Sequence, residues 1–99
     1  MSYFAIIFET DEANYGRVED AIHTVSKGNC QKILHNFWVV NTLYPDAKKV
    51  RDYIKNYLKL DFDDKVFVTA IKEGESPWAS WGLEKTAVDW LTSKAQSHS

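Results

Sequence analysis

Carboxylates gather at two places in this 99-residue chain. Glu9, Asp11 and Glu12 follow an unbroken apolar run, Tyr3-Phe4-Ala5-Ile6-Ile7-Phe8, and Asp61, Asp63 and Asp64 crowd a turn further on. The first group is well placed for chemistry, because open sheets collect functional groups at the carboxyl ends of their strands. The second could hold a hard cation. Phe62 interrupts it, however, and its spacing is not the alternating pattern of an EF-hand loop, so a solvated turn is the plainer reading. The remaining reactive residues are scattered. His23, His35 and His98 fall on different elements and make no zinc pattern. Cys30, the one cysteine, follows a Gly28-Asn29 turn with no motif relation to a His or Asn, and reads as an inert thiol. The four glycines are isolated, so no phosphate-cradling loop is present. Ser80 lacks the flanking glycines of a nucleophile elbow.

The elements that must position these residues follow from periodicity. A short run as apolar as Tyr3 to Phe8 reads as a central strand buried on both faces. A helix follows, from Asn14 or Arg17 to Lys27. Val18, Ala21, Ile22 and Val25 form its inner stripe, and Gly28 is expected as its left-handed C-cap. Gln31 to Leu34 and Phe37 to Leu43 read as two strands, linked by a two-residue turn at His35-Asn36 in which Asn tolerates positive φ. On the second of them Trp38 and Val40 share one face, Phe37, Val39 and Leu43 the other. Pro45 is suited to open the next helix, Asp46 to Leu60. Val50, Tyr53, Ile54, Tyr57 and Leu58 make its buried stripe. Lys48, Arg51, Lys55 and Lys59 make an outer basic stripe, either a solvated face tempered by Asp52 or a phosphate-contacting surface. A fourth strand spans Lys65 to Lys72. Gly74 to Gly82 is a loop carrying Trp78 and Trp81. A short helix from Leu83 to Lys94 ends the chain, with residues 92–99 a fraying tail.

This order predicts an α+β fold of the ferredoxin-like, split βαβ kind: βαββαβ, an antiparallel sheet with two helices on one face, and a C-terminal Trp-rich loop and short helix appended. The central strands are apolar on both faces, yet the two helices cover only one. The Trp loop and last helix can cover part of the second face, and a second copy of the chain the rest, which predicts a homodimer.

Composition narrows the function. The chain is 44% hydrophobic and 14% aromatic, with four Trp, five Tyr and five Phe. More ring surface than one small core hides points to a protein partner or to self-association. A net charge of −2 does not favour general binding to nucleic acid, though a local basic face remains open. At this length the chain reads as one domain, residues 1–99. No apolar run approaches the ~20 residues of a membrane span. Nothing at the N-terminus reads as a secretory signal, and a single cysteine suits a reducing cytoplasm.

The succession of motifs is similar to a known family. It comprises Phe8-Glu9 closing an apolar strand, Asn14-Tyr15, Phe37-Trp38-Val39-Val40, Val50-Arg51-Asp52-Tyr53-Ile54, Val66-Phe67-Val68 and a late Trp. It resembles the SinR-like small proteins, themselves similar to CRISPR-associated Cas proteins of type two and to VapD-type toxins. In the Cas-type relatives the first strand ends in an aspartate, one per subunit at a dimer axis, credited with metal-dependent cleavage of RNA or DNA. The matching position here is Glu9, whose carboxylate reaches one methylene further. The resemblance therefore implies Glu9 as catalytic residue and metal ligand, and Mg²⁺ as cofactor if the protein is a nuclease; the acidic loop beside it offers Asp11 as a second metal ligand, with Asp11 or Glu12 as auxiliaries.

Two readings result. One is a homodimeric interaction module, with Trp78, Trp81, Lys48, Arg51 and Lys55 as partner-binding residues. The other is a toxin-like, metal-dependent endonuclease centred on Glu9. A sensor-like small-molecule domain is a reserve, since no residue pattern points to a ligand.

Overall fold

The computed structural model describes residues 2–58, 64–71 and 82–91. The fold is α+β. Strand β1 (Ser2–Glu9) leads through a 3-10 turn (Glu12–Asn14) to helix α1 (Tyr15–Ser26). Strands β2 (Cys30–Leu34) and β3 (Phe37–Thr42) form a hairpin, followed by helix α2 (Ala47–Leu58), strand β4 (Lys65–Ile71) and helix α3 (Lys85–Leu91). The sheet runs β2-β3-β1-β4, antiparallel throughout. β1 and β3 are its inner strands, as their apolar character requires.

Alternation along β1 splits the core in two. Phe4, Ile6 and Phe8 face α1 and α2, where they pack with Trp38, Val40, Val18, Ala21, Ile22, Val50 and Ile54. The predicted α1 stripe is buried in full, Val25 included. On the opposite face Tyr3 and Val39 pack with Leu91, flanked by Ile33, Phe37, Ile71, Leu83 and Trp90. The last helix thus covers part of the second face. Trp78 and Trp81 lie outside the described residues.

Several expectations are corrected. β1 is not buried along both faces: Tyr3 packs with Leu91 of the last helix, but Ile7 on the same face stands 36% exposed. β3 stops at Thr42 and leaves Leu43 exposed. The left-handed position after α1 belongs to Lys27 (φ 53), with Gly28 also at positive φ (83). Two turning residues are needed there for Lys27 and Gly28 to return N–H groups to Thr24 and His23. His35-Asn36 does join the hairpin, but neither residue takes positive φ. The pairing instead slips one residue between Lys32 and Leu34, a bulge that absorbs the turn's mismatch with strand twist. α2 begins at Ala47, one residue after the expected start at Asp46. The Asp46 carboxylate accepts the Lys49 N–H at 2.9 Å and acts as the cap. Tyr57 is exposed and stacks on half-buried Tyr53.

Candidate functional site

At the carboxyl end of β1 the side chains part company. Glu9 shares the face of Tyr3 and Ile7, opposite Lys65 in register, with a 3.4 Å ion pair between them. Both are well exposed, so the pair contributes below about 1 kcal/mol. Thr10 is the tie of the loop. Its hydroxyl donates to Asp64 Oδ1 at 2.6 Å and accepts from Asn14 Nδ2 at 3.4 Å. The Asp11 carbonyl accepts the Asn14 N–H at 2.8 Å, which closes the 3-10 turn, and its side chain is exposed. Among the described residues no group of three or more His, Cys, Asp or Glu side chains is arranged to hold a metal ion. Asp61 and Asp63 lie outside them.

Two contacts at opposite ends of α1 have no mark in the sequence. Tyr15 stacks on His35 (6.0 Å, 13° between planes) and meets Phe8 edge-on at 5.2 Å. On the other flank of α1, Cys30 Sγ lies 3.6 Å from His23 Nδ1, and His23 stands edge-on to Trp38. The seven-residue separation of the Cys and His crosses a helix end, so no motif marks it. Burial pushes the Cys30 thiol above its ordinary pKa, and a hydrogen bond with the Ser26 side chain works the other way. The group is held as a neutral thiol, which suits a structural contact and not an activated nucleophile.

The basic stripe of α2 is real but tempered. Lys48, Arg51 and Lys55 are all exposed. Arg51 donates to Asp52 Oδ1 through Nη2 (2.6 Å) and Nε (3.0 Å), and Lys48 lies 3.6 Å from Asp52 Oδ2. The Arg51 hydrogen bond, with the charges of Arg51 and Lys48, holds the Asp52 carboxyl below the usual carboxylate range. One carboxylate therefore engages two of the three cations.

The open part of the second face carries the most distinctive arrangement. Leu34, Phe37, Ile7 and Phe67 are consecutive cross-strand partners, one from each strand. They form an apolar row about 14 Å long across the sheet, from the usual strand spacing. Leu34 (52%), Ile7 (36%) and Phe67 (62%) are exposed, and Phe37 is half-buried. The Glu9–Lys65 pair rims the row on one side, and Ala5 and Val39, both buried, adjoin it on the other. An apolar row rimmed by charge is the ordinary anatomy of a protein contact surface.

Compared with known protein families, with characterised proteins and with solved structures, the chain matches none. No helix among the described residues is long and apolar enough to cross a membrane.

Proposed function

We propose that this chain is a ferredoxin-like domain that works as a homodimeric interaction module, binding a macromolecular partner without performing chemistry. The observation that carries this reading is the Leu34–Phe37–Ile7–Phe67 row, left open on the face that the last helix covers only in part. The β2-β3-β1-β4 order supports the ferredoxin-like assignment, since a split βαβ unit inserts β3 between β1 and β2. The single cysteine supports a reducing, cytoplasmic setting. Kinship with the SinR-like group, and a partner-binding part for Trp78, Trp81, Lys48, Arg51 and Lys55, belong to the same proposal.

The endonuclease reading rests on one observation: Glu9 lies on the open face, exposed, one pair beyond the apolar row. A single comparison separates the two. Labelled RNA and duplex DNA are incubated with Mg²⁺, Mn²⁺ or EDTA and with wild type or Glu9→Gln. The module reading expects no metal-dependent cleavage that distinguishes the two proteins. Cleavage by wild type that EDTA and Glu9→Gln both abolish would replace it with the nuclease.

A further inference from the structure

The two edges of the sheet are built differently. β2 has five residues, breaks register between Lys32 and Leu34, and commits Lys32 to an ion pair with Glu19 at 3.4 Å. A bulge and a lysine are standard protections of an exposed edge. β4 has seven residues, contains neither Pro nor Gly, and pairs with β1 without a register break. Its one charge, Lys65, sits at the first position and is engaged by Glu9. Among the described residues β4 is an edge strand with no such protection.

The direction of its free backbone groups can be worked out. Phe8 N–H donates to Asn36 O at 3.0 Å, so the even-numbered backbone groups of β1 point toward β3. The Asn41 N–H donates to Asn29 O at 2.9 Å, so the even-numbered groups of β3 face back to β1, which agrees. The odd-numbered groups of β1 therefore bond β4, and Ile7–Phe67 is a hydrogen-bonded pair. It follows that Val66, Val68 and Ala70 turn their N–H and C=O outward.

We infer that β4 pairs antiparallel with β4 of a second copy about a two-fold axis at Phe67, joining two sheets into one of eight strands. This inference rests on the homodimer proposed above and moves its interface from the open apolar face, where the sequence pattern sets it, to the edge of the sheet. The occupant is a second copy because the edge complements itself. With the axis at Phe67, outward Val66 bonds outward Val68 of the other copy, twice. Phe67 then faces its own counterpart in a non-hydrogen-bonded pair, where side chains approach closest. Lys65 meets Thr69. Moving the axis to Val68 would set Phe67 against Thr69 and Lys65 against Ile71, a poorer match. The joint doubles the apolar row into one continuous stripe and leaves it open to a partner. It also holds the two Glu9 residues about 20 Å apart, from strand spacing and rise, too far to share a cation.

The test uses single cysteines in a Cys30→Ser background, with wild-type mass measured in parallel by sedimentation equilibrium. Phe67→Cys should form a disulfide-linked dimer under copper-phenanthroline about tenfold or more faster than Ile7→Cys or Leu34→Cys. Phe67→Lys, at an exposed position, should convert dimer to monomer with an unchanged circular dichroism spectrum. A dimeric wild type in which Ile7→Cys links at least as fast as Phe67→Cys overturns the edge interface and leaves the homodimer standing. A monomeric wild type at high micromolar concentration overturns both.

Discussion

The two faces of the sheet are built from the same strands by simple alternation, yet they end in different states. On the first face Phe4, Ile6 and Phe8 are all buried, under two helices of 12 residues each. On the second, burial is graded: Tyr3 packs against α3, Ala5 is buried, Ile7 is at the margin, and Glu9 stands in solvent. A helix of seven residues spans only about 10 Å and cannot roof a four-stranded sheet. The first face holds the fold, and the open part of the second is surface on which selection for binding can act at little cost in stability.

Three measurements can break or sharpen this contrast. The largest effect is expected at Ile6, fully buried on the first face: Ile6→Ala should destabilise by about 2–5 kcal/mol in urea unfolding. Its neighbour Ile7→Ala should cost below about 1 kcal/mol in the monomer. Equal losses at the two positions would mean that the second face is closed after all. A middle effect is expected where α3 docks. Leu91→Ala should cost about 2 kcal/mol or less and raise amide exchange in α3 ahead of α1 and α2. Exchange rising uniformly would make α3 part of the main cooperative unit. The smallest effect concerns Cys30, beside the first core. Its folded-state pKa is raised. The stability it contributes is therefore full below the unfolded thiol's pKa and lost as pH rises through the folded value. Wild type should lose stability relative to Cys30→Ser as pH climbs past the unfolded thiol's pKa of about 8.5. A difference that stays flat would argue that the thiol is not desolvated.

Much of the architecture is legible in the sequence. Val18, Ala21, Ile22 and Val25 declare one helical face, and Trp38 and Val40 against Phe37 and Val39 declare the two faces of β3. What periodicity could not give was the reach of α3. An unbroken apolar run says that both sides of β1 avoid charge, but not how far the covering layer extends, so Ile7 read like Ile6. The hairpin misled for a related reason. Asn36 has the chemistry for a left-handed turn, but a bulge in β2 solves the same geometric problem and leaves no sequence mark. At the site, Glu9 was placed correctly on its strand. Its partner Lys65 and the Thr10–Asp64 bond depend on sheet register across more than 50 residues, which no local pattern encodes.

The position of β1 has a consequence for how the chain comes into being. The first strand made is flanked on both sides by strands made later: Tyr3 waits for Asn41 on one side and for Ile71 on the other. At about 5–20 residues per second, the second of these partners leaves the ribosome roughly 3–12 s after β1 does. For about the first half of that interval both hydrogen-bonding edges of the most apolar segment are unfilled, and for the rest one is. Sheet closure is thus among the last long-range events of folding, and the high sequence separation of its pairs makes it intrinsically slow.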